Sequence, residues 1–151
     1  MGSVQHAEIP AILAAGLDLS LATVGPDGAP HATVVSYASE GETLYFGCSP
    51  ASRKAANLAN DNRVAATITL PYRRWGEIRG LSLTGKAECV ANPEEAARIG
   101  LLFLEKFPET AQYVATDAPP RLFRLAPEVV QVLDYRKGFG HTDRVDMAPA
   151  R

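Results

Sequence analysis

The 151-residue chain has only two cysteines, Cys48 and Cys89. They form no CxxC pair and no metal-ligand spacing, so a disulfide framework and a zinc module are both excluded; each falls in a β-prone run and is expected to be a buried thiol in a reducing compartment. The three histidines, His6, His31 and His141, are as widely scattered and carry no ligand spacing around them. Positive charge is also short. Fifteen Lys and Arg against 17 Asp and Glu leave a formal net charge of −2, with Arg73-Arg74 the one local basic cluster. A nucleic-acid partner would require a basic stripe, and there is none. No apolar stretch approaches bilayer length, and no basic segment followed by an apolar run stands near the start, so a cytoplasmic protein with no membrane partner is expected. The familiar catalytic signatures are missing as well: there is no GxSxG and no P-loop, and Gly138-Phe139-Gly140 is a lone GxG without a third glycine or a βαβ context.

What remains is ordinary globular material, 46% hydrophobic and 21% charged. A chain of this length buries about 68–70% of its unfolded surface. One domain spanning 1–151 is expected, with 1–7 and 142–151 as loose ends. After a short helix over Ile9–Ala15, ended by Gly16, Leu17–Val24 is β-like, and Gly25-Pro26-Asp27-Gly28 is a turn. Ala29–Ala38 is the return strand, alternating so that His31, Thr33, Val35 and Tyr37 share one face. With Thr43–Cys48 these strands predict an antiparallel meander. Arg63–Leu70 is a fourth strand. Glu77–Val90 is a long one whose Gly80 and Gly85 mark bends or close approach of another backbone. Asn92-Pro93-Glu94-Glu95 starts a helix with a cap, a first-turn proline and acidic residues; Ile99, Leu102, Phe103 and Phe107 then form its core stripe. Pro108–Val114 is read as a further short helix. Arg121–Leu125 and Val129–Asp134 read as two strands divided by Ala126-Pro127-Glu128. The fold class is mainly β (α+β), with six to seven antiparallel strands closing into a barrel and two or three peripheral helices.

Chemistry points to one stretch, Thr43–Leu70, where a strand feeds a helix that begins near Ser49, Pro50, Ser52, Arg53 and Lys54. Ser49 suits an N-cap and Pro50 a first helical position. Unpaired backbone N–H groups at a helix start, beside a hydroxyl, a guanidinium and an ammonium, suit a phosphate. The alternative is a pair of solvated charges on a helix face.

The succession SLATVGPDGAPHATVVSY, TLYFGCSPASRKAANLANDNRVAATIT and IRGLSLTGKAECV resembles the pyridoxamine 5'-phosphate oxidase-like FMN-binding split barrels, from about Leu19 to Val90. The resemblance implies a Greek-key split barrel, a homodimer and FMN held between the subunits. Arg53 and Lys54 match the FMN-phosphate ligands of the family, and Ser52 stands in the same motif. Gly47, Cys48 and Ser49 match the strand end that lines the flavin site. His31, Thr33, Val34, Val35 and Ser36 lie in the strand that runs along the flavin ring, and Ile78, Arg79 and Gly80 match a further flavin-contacting segment.

The departures are specific. Where the true oxidases carry Arg at the start of the second strand and Lys five residues on, this chain has His31 and Ser36, and the family's fifth-strand Gln aligns with Gly80. RKGFGHTDR offers no match to the Arg and His residues that grip pyridoxamine phosphate. The resemblance therefore implies an FMN-dependent oxidoreductase working on a reduced nicotinamide or small organic substrate, not a true pyridoxamine phosphate oxidase. Relatives of this barrel that bind F420 or haem, and a non-enzymatic flavin carrier or sensor, are the alternatives.

Four further readings concern single residues. Trp75 is read as an apolar anchor at a subunit interface, and Tyr45 as barrel and interface packing that leaves apolar surface. His31 is either a cofactor contact or a surface strand histidine. Lys137–His141 is either a mobile, Gly-rich chain end or an ordered turn folding over the cofactor cleft, with Phe139 as an apolar plug and His141 as a polar contact or haem ligand.

Overall fold

The computed structural model describes residues 4–113 and 119–148. Its centre is one curled antiparallel sheet of eight strands in the order β2-β1-β5-β6-β7-β4-β3, with β8 also on β7. The strands are β1 (Asp18–Val24), β2 (Pro30–Ser36), β3 (Ala38–Glu40), β4 (Thr43–Cys48), β5 (Arg63–Thr69), β6 (Arg79–Cys89), β7 (Arg121–Asp134) and β8 (Thr142–Asp146). Around them lie α1 (Val4–Ala15), α2 (Arg53–Asn60), α3 (Pro93–Lys106) and α4 (Thr110–Tyr113). Val114, included in the expected second short helix, lies outside the described residues.

The expected meander is replaced by a longer path. β1 and β2 pair as a hairpin, but β3 and β4 pair with each other at the opposite end of the sheet. The chain crosses between the two ends at Tyr37, which is fully buried and donates its hydroxyl hydrogen to the Leu13 carbonyl at 2.7 Å. Local alternation cannot reveal this, because Tyr37 continues the inward row of His31, Thr33 and Val35 while the backbone changes partner.

Strand β7 is a single element of 14 residues, not two runs around Pro127. It pairs with β6 along its length; on the other edge Arg121–Leu125 pair with β4, and Val129–Leu133 with β8. Pro127 is tolerated because the β6–β7 register shifts between Thr84 and Gly85, opposite it. A Cβ on Gly85 would stand 2.5 Å from the Ala126 carbonyl oxygen and 3.1 Å from Pro127 Cα, and one on Gly80 would strike the Ile68 carbonyl. Both glycines thus mark close backbone approach, as expected. The long strand begins later than expected, because Trp75–Glu77 forms a 3-10 turn.

Both supposed loose ends carry structure. Helix α1 starts at Val4 and runs through Pro10, and it buries Ile9, Ile12 and Leu13 against the sheet. Packing of those three outweighs the backbone hydrogen bond that Pro10 cannot donate. Strand β8 is mostly charged and exposed, and only Val145, opposite Val130, is buried. One inward residue suffices for an edge strand, and it leaves almost no pattern in the sequence. Asn92 caps α3 as expected, accepting from the N–H groups of Glu94 and Glu95. Of the α3 stripe, Ile99 is buried while Leu102, Phe103 and Phe107 are half-buried.

A methyl group added at Gly85 must displace backbone, so Gly85→Ala is expected to cost about 1–3 kcal/mol. Gly100 on α3 has open space around it, so Gly100→Ala is expected to stabilise by up to about 1 kcal/mol. Thermal melting of the two variants checks the contrast, and equal midpoints would contradict it.

Candidate functional site

The strand–helix junction is built differently from the sequence expectation. Ser49 does not cap the helix; it closes a turn in which its side-chain oxygen accepts from the Ala51 N–H at 3.2 Å and its carbonyl from the Ser52 N–H at 3.0 Å. Ser52 is the cap: its hydroxyl donates to the Ser49 carbonyl at 2.7 Å and its oxygen accepts from the Ala55 N–H at 3.2 Å. Pro50 fits the turn, and the helix starts three residues later, with Arg53 and Lys54 as its first two residues. Their N–H groups lack acceptors within the helix, as at any helix start.

Asn57, one turn further on and buried, donates its side-chain N–H to the buried Thr23 hydroxyl at 3.0 Å. Thr23 pairs with His31 across the β1–β2 ladder. One buried hydrogen bond therefore ties the helix carrying Arg53 and Lys54 to β1, whose ladder partner β2 carries His31 and Thr33. The sequence offered no sign of it.

Arg63, Arg98, Arg124, Arg136, Lys137 and Arg144 each reach a carboxylate, whereas the side chains of Arg53 and Lys54, like those of Arg73, Arg74, Arg79, Lys86, Lys106 and Arg121, reach none among the described residues. What distinguishes Arg53 and Lys54 is that both open a capped helix. Nearby, His31 Nδ1 and Thr33 Oγ1 are buried and meet no hydrogen-bond partner; at the other end of the sheet the same holds for Arg79 Nε. Buried polar atoms left unpaired cost free energy, so three in residues matched to a flavin site call for a ligand or a partner chain.

Strand β2 ends one path of the sheet, so one row of its backbone groups lacks a strand partner. From His31 to Ser36 it spans about 17 Å at roughly 3.3 Å per residue. Its outward residues, Ala32, Val34 and Ser36, are exposed, Val34 by 66%. Outward neighbours Ser20, Ala22, Ala65, Thr67 and Thr84 continue a face of small side chains, bounded at the Ser36 end by the exposed Asp18.

The expected site is brought together only in part. Gly47, Cys48, Ser49, Ser52, Arg53 and Lys54 share the junction, and His31 and Thr33 stand beside it through Thr23. Arg79 and Gly80, with Ile78 just before them, lie at the Ser36 end but at the start of β6, separated from β2 by β1 and β5. That is about 14 Å at roughly 4.8 Å per strand. The described residues form clefts elsewhere on the chain, two of which are well defined. One of about 380 Å³ lies between α2 and the sheet, among Ala55, Leu58, Cys89 and Arg121; the other, about 840 Å³, is lined by Lys86, Glu128 and Met147. Neither includes β2, Arg53 or Lys54. Cys48 is buried as expected, but Cys89 is exposed, because β6 outruns its cover at that end. Tyr45 is buried within the chain at 3% exposure and leaves no apolar surface.

The sequence profile of the pyridoxamine 5'-phosphate oxidase family matches residues 6–134. The chain belongs to this family. Comparison with curated proteins gives no match. Among solved structures, a haem-binding protein from Mycobacterium smegmatis superposes with a TM-score of 0.81 at 24% identity, over 97% of this chain and 59% of that one. A conserved hypothetical protein from Mycobacterium tuberculosis has a TM-score of 0.77 at 28% identity, covering 100% and 94%. The haem storage protein HutZ from Vibrio cholerae has 0.69 at 23%, covering 81% and 89%. The chain thus spans under two thirds of the M. smegmatis protein. Within this family, the described part of the chain has no group of His, Cys, Asp and Glu able to hold a metal ion and no helix long and apolar enough to cross a membrane.

The Lys137–His141 segment is ordered, with Gly138 and Gly140 at φ of 143° and 78°. Phe139 is not a plug but 78% exposed, and His141 Nε2 is bonded to Asp143 at 2.9 Å. The segment is held by Asp134, whose carboxylate accepts from Arg136 Nε and Nη2, both at 2.8 Å, and from the Arg136 N–H. The Arg136 guanidinium keeps the Asp134 pKa low, at about 2. A lowered carboxylate pKa stabilises the fold above the unfolded value of about 4 and loses that contribution as pH falls toward 2. Asp134→Asn is therefore expected to be less stable than the parent at neutral pH, with the gap narrowing between about pH 4 and 2. Chemical denaturation across pH checks this, and a pH-independent gap would contradict it.

Proposed function

We propose that the chain is an FMN-binding flavoprotein of the oxidoreductase class, acting as a homodimer on a reduced nicotinamide or small organic substrate. The observation that carries this reading is the pair of uncommitted cations, Arg53 and Lys54, on a capped helix start joined through Asn57 and Thr23 to β2. There Arg53 supplies a guanidinium fork and Lys54 a point charge to a dianionic phosphate, while the N–H groups of both residues face the same end of the helix dipole. His31 Nδ1 and Thr33 Oγ1 are available to polar edges of the ring system, and the small residues around Val34 leave room for a flat face. Bound FMN supplies the two-electron redox chemistry; the protein binds, orients and shields it.

A second copy completes the site on this reading. Ile78–Gly80 stand too far from β2 within one chain, neither of the two clefts described above includes β2, and the small-residue face beside Val34 is left uncovered. The haem and F420 alternatives have no comparable residue argument: His141 is engaged by Asp143, and haem binding by relatives at 23–24% identity extends to this chain as fold alone.

Replacing both Arg53 and Lys54 with Ala removes charge-assisted contacts of roughly 1.5–3 kcal/mol each. FMN affinity is expected to fall at least a hundredfold, while riboflavin, without a phosphate, binds as before. Equal affinity of parent and variant for FMN would overturn the assignment.

A further inference from the structure

The flavin reading leaves unused an aromatic corner beside Ile78, formed by the turn before β6 and the turn after β7. Trp75, on the 3-10 turn Trp75–Glu77, lies 5.6 Å centroid to centroid from Phe139, and Tyr135 lies 5.5 Å from Phe139. The rings touch each other but stay in solvent: Trp75 is 67% exposed and Phe139 78%. Tyr72, three residues before Trp75, is 47% exposed. Apolar rings of this size are normally withdrawn from water, so a cluster held outward needs a cause.

The cause is backbone. Gly138 and Gly140 take the left-handed side of φ space on either side of Phe139 and aim it away from the sheet. The Asp134 N–H donates to the His141 carbonyl at 3.0 Å, the His141 N–H to Gly138 at 3.1 Å, and the Tyr135 N–H to Ile78 at 2.9 Å. The last bond ties the tail turn to the start of β6, next to the turn that carries Trp75. The platform is therefore assembled before any ligand arrives.

Its charge is equally specific. Arg73 and Arg74 precede Trp75, and neither guanidinium reaches a carboxylate among the described residues. The nearby Glu77 carboxylate accepts instead from the Arg73 backbone N–H at 3.1 Å. A chain of net charge −2 thus places two uncommitted cations beside its most exposed aromatic pair.

We propose that this corner binds a nucleotide, with the base stacked on Trp75 and Phe139 and the phosphates met by Arg73 and Arg74. Stacking and charge are both needed, and a nucleotide combines a π-face with phosphates at short reach. Self-association about a two-fold axis through the patch would bring Arg73 and Arg74 against their own copies, which like-charge repulsion opposes. A long polyanion would meet the net negative charge of the rest of the chain. This role replaces the subunit-anchor role expected for Trp75, and it does not rest on the flavin assignment.

Trp75 is the only tryptophan, so its emission reports the site directly. The protein as isolated is titrated with ADP, adenosine and inorganic phosphate under selective tryptophan excitation, and flavin absorption is followed in parallel. ADP is expected to quench Trp75 saturably. Phe139→Leu, which keeps bulk but removes the ring, and Arg73→Ala with Arg74→Ala are each expected to weaken ADP roughly tenfold or more. Adenosine is expected to bind more weakly than ADP, and phosphate alone to leave the emission unchanged. No saturable quenching by millimolar ADP, quenching that survives both variants, or emission that follows protein concentration instead of ligand would overturn the proposal. Because the readout is Trp75 itself, it succeeds or fails whatever the flavin assay gives.

Discussion

One sheet has to serve as a barrel wall without a second sheet to close it, and β7 is where that constraint is met. It pairs with β6 throughout while giving its other edge first to β4 and then to β8. Such a strand must bend, and the bend requires Pro127 and Gly85 to face each other where the register slips. A side chain at Gly85 would push the β6 and β7 backbones apart where β7 turns from β4 toward β8, and that strain bears on the strand that positions β4 and the junction after Cys48. The phosphate corner proposed here thus depends on a glycine three strands away from β2.

Polar bonding inside this frame divides the chain into committed and uncommitted parts. Committed groups hold the scaffold: Tyr37 to Leu13, Asn57 to Thr23, and Arg124 to Glu95 at 2.7 Å. Lys106, whose ammonium lies 3.9 Å from the Tyr37 ring centroid without a hydrogen-bond acceptor, has its pKa lowered by burial and packs over the crossing between β2 and β3. Adjacent pairs of cations without a carboxylate partner stand at the start of α2 (Arg53, Lys54) and before Trp75 (Arg73, Arg74). Two separate surfaces follow, one at the β2 edge and one at the aromatic corner, each rigidly built and each short of a counterpart.

Much of this was legible in the residues because it is local. The turn Gly25–Gly28, the Asn92 cap, the inward row of β2 and the close approach at Gly80 and Gly85 follow from propensity and pleat, whereas Gly138 and Gly140 suit a mobile end as well as an ordered turn and left that choice open. The succession of motifs around Ser52-Arg53-Lys54 identified the family. What escaped was non-local. The jump at Tyr37 keeps the alternation while changing partner; α1 depends on three core contacts despite Pro10; β8 has a single buried residue; and β7 ignores a proline because its neighbour is bulged. At the site, Ser49 and Ser52 are both good caps, and only the turn that forms first decides between them. The Asn57–Thr23 bond joins residues 34 apart and leaves no pattern to read.

The central claim is that Arg53, Lys54 and β2 form half of an FMN site completed by a second copy. Size-exclusion chromatography of the purified protein, with full visible absorption recorded across the peak, tests it most directly. The account predicts the paired flavin bands, and no haem Soret band, eluting with a dimer. Flavin carried by a monomer, or a dimer whose spectrum is that of haem, would contradict it.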